Sequence, residues 1–134
     1  MRVLPLPLAL MALFAFLFAA GFTGADDTWM LLGSCTVSAG ADHDTLAVTG
    51  ENTVVGKLHL RVKGTAVRFE RIVVRYDDGD DDRIELSRDE IPAGGESRTI
   101  ALREDDRVVR SVDLWYDAES LGGRRAVVEV YGRR

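Results

Sequence analysis

Hydrophobic and polar residues alternate with a period of two along much of the chain. In the clearest case Leu58, Leu60 and Val62 alternate with a histidine, an arginine and a lysine. Such alternation is typical of a β-strand that buries one face and exposes the other. His59 lies between two of these apolar positions and is therefore predicted to be an exposed strand residue.

The same alternation, bounded by turn residues, predicts about eight short strands. The predicted strands are residues 29–37, 45–48, 58–63, 67–76, 83–86, 97–102, 108–116 and 125–131. Glycine-rich and acidic turns separate them, and no amphipathic helix is predicted between them. The pattern predicts an all-β fold: an antiparallel, jelly-roll-like β-sandwich that forms a single domain over residues 26–134.

The two longest predicted strands, 67–76 and 108–116, each contain a change of parity. In the first, Phe69 lies at an odd position and the later apolar residues lie at even ones, and the second strand repeats this. A β-bulge near Glu70-Arg71, and another near Arg110-Ser111, would place each apolar set on one face. The offset of about 40 residues between the strands suggests either a weak repeat forming the two halves of one sandwich, or a chance likeness of amphipathic strands.

The N-terminal segment, residues 1–25, is predicted to be a signal peptide. Arg2 precedes an uncharged apolar run that is followed by small residues. These features predict a signal helix cleaved after Gly21 or Ala25, and a periplasmic or secreted mature protein. A membrane anchor is the alternative, because the apolar run is almost long enough to span a bilayer. Contact with a membrane is expected only through this segment, if it stays uncleaved.

The net charge argues against a nucleic-acid partner, and the cysteine and histidine content excludes two kinds of structural crosslink. The chain has 17 Lys and Arg against 22 Asp and Glu, a net charge of -5, which argues against nucleic acid as a partner. One cysteine and two histidines cannot form a four-ligand Cys/His zinc site or a disulfide within the chain. Cys35 is predicted to be a small apolar residue of the first strand, although a lipidated cysteine or a disulfide between two chains remains open.

Enzyme motifs are absent from the sequence. No serine lies in a nucleophile elbow, and neither histidine has a recognisable nucleophile partner. Acidic residues are plentiful, but no pair lies in an apolar setting that would raise one pKa for glycoside hydrolysis. We therefore predict that the protein is not an enzyme, with a small secreted hydrolase of unrecognised type as the alternative.

An acidic turn is the one candidate metal site. It contains the carboxylates of Asp77, Asp78, Asp80 and Asp82. Carboxylate oxygens are the ligands that calcium prefers, but the spacing does not match an EF-hand loop. Arginines flank the segment, so a solvated acidic turn is the competing interpretation. No cofactor is expected, with calcium as the alternative.

A tryptophan on the last long strand is the candidate ligand site. If the alternating apolar residues point inward, Trp115 points outward between Asp113 and Asp117. An exposed indole stacks on a sugar ring while carboxylates bind its hydroxyls. Alternatively, Trp115 packs against an arginine side chain such as Arg75. The tyrosines and the other tryptophan are predicted to belong to the core: Trp29, Tyr76, Tyr116 and Tyr131.

Several short segments together carry a family resemblance. They are residues 29–34, 42–44, 57–62, 73–76, 95–102, 107–112 and 126–132. In this order they resemble a family of small secreted bacterial proteins known as a domain of unknown function. The resemblance implies a signal-bearing, all-β envelope protein and no particular activity. We expect a non-catalytic binding or structural module of the bacterial envelope, with a glycan or a protein as partner. A calcium-stabilised carbohydrate-binding module is an alternative.

Overall fold

A computed structural model describes residues 28–49, 54–86, 89–104 and 107–134. The strands in these residues are β1 (Met30–Val37), β2 (His43–Ala47), β3 (Val54–Val55), β4 (Lys57–Lys63), β5 (Val67–Tyr76), β6 (Asp81–Glu85), β7 (Glu90–Ile91), β8 (Ile100–Ala101), β9 (Arg107–Tyr116) and β10 (Ala126–Arg133). A 3₁₀ helix, Ala118–Leu121, connects the last two strands. The predicted signal helix lies outside the described residues. No helix within the described ranges is long and apolar enough to cross a membrane.

The strands form two antiparallel sheets packed face to face. The first sheet has the order β1-β10-β4-β8, and the second has the order β2-β9-β5-β6, with β3 beside β9 and β7 beside β5. Apart from the two-residue β3 and β7, the strands pair first with last, second with second-last, and so on inward. This is the pairing of one long hairpin rolled into a sandwich, and it confirms the predicted jelly-roll-like, all-β fold.

The core lies between the two sheets and is built from the alternating apolar positions. Leu58, Leu60 and Val62 are fully buried, as the period of two predicts. Tyr76 and Tyr116 are buried as predicted, and their hydroxyls reach polar partners at the margin of the core. The Tyr116 hydroxyl donates a hydrogen bond of 2.6 Å to an Asp44 carboxylate oxygen. Such partners make it possible to bury a tyrosine without leaving its hydroxyl unsatisfied.

Both predicted β-bulges are present where β5 pairs with β9. One register shift lies between Phe69 and Arg71 of β5. At the other, Arg75 and Tyr76 pair with Ser111 and Val109, so Arg110 of β9 has no pairing partner on β5. Each bulge inserts one residue and so brings Phe69 and Val109 to the buried face with the apolar residues that follow them. β5 and β9 are neighbours in the second sheet, while β4 and β8 are neighbours in the first. Each copy of the suggested repeat therefore contributes one strand to each sheet.

The predicted strand 97–102 is much shorter in the structure. Only Ile100–Ala101 forms strand β8, which pairs with the first two residues of β4. The chain before it makes a turn at Gly94, whose φ of 84° is a left-handed conformation that favours glycine. As a result, the later part of β4 is bordered by a turn and an irregular segment.

Candidate functional site

Three aromatic rings lie together on the outer face of the first sheet. Trp29 immediately precedes β1, His59 lies on β4, and Tyr131 lies on β10. His59 and Tyr131 are directly opposite in the pairing of β4 with β10, and their rings stack with centroids 5.1 Å apart. The Trp29 ring meets His59 edge-on, with centroids 4.3 Å apart. Cross-strand pairing therefore assembles an aromatic cluster from three distant parts of the sequence.

The structure corrects three sequence predictions at this cluster. His59 is predicted to be exposed but is only 8% exposed, because the neighbouring rings cover it. Trp29 and Tyr131 are predicted to be core residues, yet both are half-buried on the outer face. Burial lowers the pKa of His59, and the charge of Arg61 adds to this effect, while the carboxylate of Glu96 opposes it.

The segment before β8 forms a wall beside the aromatic cluster. Ser97 N–H donates to the Leu60 carbonyl at 2.8 Å, and the Ser97 hydroxyl accepts from the Leu60 N–H at 2.9 Å. The same hydroxyl donates to the Arg98 carbonyl at 2.8 Å. These bonds hold the segment against β4 and place Glu96 Oε1 3.6 Å from His59 Nε2.

A cleft of about 270 Å³ lies between the rings and this wall. The described residues that line it are Trp29, His59, Arg61, Glu96, Ser97, Thr99 and Tyr131. The Arg133 guanidinium lies over the Trp29 ring, 4.8 Å from its centroid. The cleft thus combines aromatic surface with a carboxylate, hydroxyl groups and a guanidinium. We call it the aromatic cleft.

The predicted ligand residue Trp115 lies on the outer face of the second sheet, away from the aromatic cleft. Its indole stacks on the His43 ring with centroids 4.3 Å apart, and the Arg71 guanidinium lies 4.4 Å from the indole centroid. Because the strands carrying these two residues flank β9 on opposite sides, they cover opposite faces of the ring. The alternative interpretation, packing against an arginine, fits this arrangement, with Arg71 in place of Arg75.

The two acidic neighbours of Trp115 have protein partners. Asp113 is predicted to point to solvent but is 4% exposed, and it accepts hydrogen bonds from Arg75 Nε and the Thr45 hydroxyl, both at 2.8 Å. Asp117 caps the 3₁₀ helix and lies 3.5 Å from Arg68. A ligand-binding role of Trp115, Asp113 and Asp117 stays a prediction, and the structure gives each of them structural contacts.

Arginines compensate the acidic turn that was the candidate calcium site. Arg107 Nη2 lies 2.7 Å from Asp78 and 3.0 Å from Asp80. Arg110 and Arg103 lie 3.1 and 3.3 Å from the carboxylates of Asp77 and Asp82 respectively. Within the described part of the chain, no group of three or more His, Cys, Asp or Glu is arranged to hold a metal ion. A role of calcium stays a prediction.

The pKa values in this turn follow the same contacts. Backbone N–H groups and Arg107 donate hydrogen bonds to Asp78 and Asp80 and lower the pKa of both carboxyls. Repulsion among neighbouring carboxylates would have raised these values. The turn is therefore held in its ionised form by hydrogen bonds and arginine.

Cys35 lies in β1, the first strand, as predicted. It is half-buried with a free thiol, and its side chain packs against the core. Burial, with a smaller contribution from Asp44, raises the pKa of the thiol to about 11. A thiol with this pKa is almost entirely protonated at neutral pH, and it is therefore a weak nucleophile.

Comparison with known families identifies the chain. The family model described as "Domain of unknown function (DUF2541)" matches residues 9–132. The chain belongs to the DUF2541 family. This confirms the resemblance to a domain of unknown function noted in the sequence. No protein with curated annotation matches the DUF2541 chain.

The solved structures that align with the DUF2541 chain include AlgX and a carbohydrate binding module. AlgX of Pseudomonas aeruginosa aligns with a TM-score of 0.54 at 14% identity, over 78% of this chain and 26% of the AlgX chain. This DUF2541 chain thus spans about a quarter of that protein, and at this identity the likeness concerns the fold alone. A family 29 carbohydrate binding module aligns with a TM-score of 0.43 at 14% identity, over 78% of this chain and 87% of the module.

Proposed function

We propose that this DUF2541 domain is a non-catalytic glycan-binding module that acts after export in the bacterial envelope, with the aromatic cleft as its binding site. One observation carries the proposal: Trp29 and Tyr131 keep exposed ring surface around a concave, polar-lined site. Sugars present apolar C–H faces that pack on aromatic rings, and hydroxyls that require hydrogen-bond partners. The aromatic cleft offers both kinds of contact.

The polar groups of the aromatic cleft are placed to bind hydroxyls at its rim. Glu96 has a side chain that is 51% exposed, so its carboxylate is available as an acceptor. Thr99 contributes a hydroxyl from the same wall, and Arg61 contributes donors from β4. The cleft volume of about 270 Å³ is slightly below the range of about 300–1,000 Å³ typical of sites for drug-sized ligands. One or two sugar units of a longer chain suit this size.

A small hydrolase is the second candidate, and the contact of His59 with Glu96 favours it. Two observations support binding over hydrolysis. The Ser97 hydroxyl, which lines the cleft, already accepts from the Leu60 N–H and donates to the Arg98 carbonyl. Glu96 is the one carboxylate among the described residues that line the cleft, whereas most glycosidases use a pair.

A comparison of two tryptophan variants tests the proposal. Trp29→Ala removes aromatic surface from the aromatic cleft, and Trp115→Ala removes an indole that is covered on both faces. We expect Trp29→Ala to weaken glycan binding about tenfold or more on a glycan array and in calorimetric titration, and Trp115→Ala to bind like the wild type. Circular dichroism verifies that each variant is folded.

Three results would overturn this proposal. Unchanged binding by a folded Trp29→Ala variant would exclude the aromatic cleft as the site. Loss of binding in Trp115→Ala alone would move the site to the second sheet. Release of shorter oligosaccharides on incubation, detected by mass spectrometry and abolished in His59→Gln, would identify a hydrolase.

A further inference from the structure

The strongest unexplained feature of the aromatic cleft is the side chain of Arg61. It lies on β4, two residues after His59 and on the same outer face of the first sheet. Its Nε is buried and has no hydrogen-bond partner. Arg61 also forms no ion pair with any residue in the described part of the chain. A buried donor of a charged group without an acceptor is unusual, because such groups lose hydration without compensation.

Two carboxylates lie close to Arg61 but are bound elsewhere. Glu129 is directly opposite Arg61 in the pairing of β4 with β10, yet it pairs with Lys63 at 3.4 Å and accepts the Tyr131 hydroxyl at 3.1 Å. Glu96 lies across a β-bridge from Arg61, yet its carboxylate faces His59. Neither carboxylate forms an ion pair with Arg61, and its half-buried side chain lines the aromatic cleft, where an acceptor from outside the protein can approach it.

Arg71 on the second sheet resembles Arg61 in one respect and differs from it in another. Its Nε is also buried without a hydrogen-bond partner. However, its guanidinium lies over the Trp115 ring and gains a cation–π contact. No such aromatic contact accompanies Arg61 within the described ranges. Among the described residues, Arg61 is therefore the arginine that lines the aromatic cleft with neither an ion pair nor a ring contact.

We infer that the aromatic cleft selects glycans that carry a carboxylate, such as uronic acid units, and that Arg61 binds this carboxylate. The inference rests on the proposed function, since it assumes that a sugar ring occupies the cleft. A guanidinium stays charged at all physiological pH values, and its planar fork of donors matches the two oxygens of a carboxylate. A neutral hydroxyl would leave that charge uncompensated.

The charges around Arg61 favour a carboxylate over a phosphate. Glu96 lies in the same cleft, and the whole chain carries a net charge of -5. A phosphate group bears a larger negative charge, so it is repelled more strongly by this surrounding than a singly charged carboxylate. A uronic acid also supplies the ring that packs on Trp29 and Tyr131.

The test uses pairs of probes that differ only in the carboxylate. Trisaccharides of galacturonate, glucuronate and mannuronate are compared with their carboxyl-reduced, neutral counterparts by calorimetric titration of the full domain. We expect the wild type to bind at least one acidic trisaccharide about tenfold or more tightly than its reduced form. Arg61→Gln should lose this preference, so that it binds the acidic and the reduced form equally, while Arg71→Gln should keep the preference of the wild type.

The outcomes separate the inference from the proposed function. Equal binding of acidic and reduced trisaccharides by the wild type would overturn the role of Arg61 and leave the glycan-binding module intact. An acidic preference that survives in a folded Arg61→Gln variant would assign the carboxylate to another residue. Binding of a phosphorylated but not of a carboxylated sugar would overturn the ligand class. Failure of every acidic and neutral glycan to bind would overturn the proposed function itself.

Discussion

The outer faces of the two sheets carry the same kinds of residues and use them differently. On the second sheet, Trp115 lies between His43 and Arg71, which cover both faces of its ring. On the first sheet, Trp29 and Tyr131 surround a histidine and still line a cleft. A tryptophan beside a histidine and an arginine therefore does not by itself indicate a binding site.

The arginines of the two faces show the same contrast. Arg75 on the second sheet donates to Asp113 at 2.8 Å and also pairs with Asp81 at 3.6 Å. Arg61 on the first sheet has two carboxylates nearby and pairs with neither. What distinguishes the faces is whether contacts within the protein satisfy the polar and aromatic groups. Unsatisfied groups are the ones that a ligand can stabilise.

The difference between the two outer faces arises at the edge strands of the sheets. The second sheet pairs β2 with β9 over all five residues of β2, and the side chains of adjacent strands cover one another. In the first sheet, β8 is two residues long, so a turn and an irregular segment continue alongside β4. Such a segment rises from the sheet and forms the wall that makes the outer face concave.

The largest expected effect is a difference in stability between variants of the two tryptophans. Trp115→Ala removes a ring packed on both faces, and we expect it to lower the free energy of unfolding by about 3 kcal/mol. Trp29→Ala should lower it by about 1 kcal/mol, because this residue precedes β1 and borders a cleft. Urea denaturation followed by circular dichroism measures both values. A larger loss in Trp29→Ala would contradict the comparison.

A smaller effect is expected from the two arginines. Arg75→Met leaves the buried carboxylate of Asp113 without its charged partner, and we expect a loss of about 2 kcal/mol, since Arg75 itself is half-exposed. Thermal unfolding should shift downward by about 8–16 °C. Arg61→Met should change stability by less than about 0.5 kcal/mol, because it breaks no ion pair. Equal destabilisation by the two variants would show that Arg61 has a structural partner.

The smallest effect is a pH dependence at the aromatic cleft. Burial lowers the pKa of His59, so below pH about 6.5 the unfolded chain binds this proton more strongly than the folded protein. Stability should therefore fall as the pH is lowered from 7 to 5. His59→Gln should reduce this fall, measured by urea denaturation across the range, whereas His43→Gln should retain it. An unchanged slope in His59→Gln would assign the dependence to other groups.

The core and its bulges were predictable because they depend on whether apolar residues fall at odd or even positions along one strand. Phe69 and Val109 are out of phase with the apolar residues that follow, and one inserted residue restores the phase. The jelly-roll-like fold was predictable for a related reason, since alternating segments separated by turns have few compact arrangements. The resemblance to a domain of unknown function depends on the same segments.

The aromatic cleft was not predictable in the same way. The period of two correctly placed His59 opposite the core positions, but it gave no information on what would cover its ring. The sequence predicts Trp29 and Tyr131 to belong to the core, because large aromatic residues are usually buried. The signal that was available is the polar character of β4 on its outer face, where His59, Arg61 and Lys63 follow one another at alternate positions.

The sequence by itself determined which side of each strand is apolar, because side chains alternate along the backbone whatever the strand's neighbours are. Only the tertiary structure decided which outer-face residues meet. The register that sets Tyr131 opposite His59, and the two bonds that hold Ser97 against Leu60, join residues far apart in the chain. Whether a side chain finds a partner within the protein depends on such contacts, and through them the outer face of the first sheet carries a cleft while Trp115 on the second is covered.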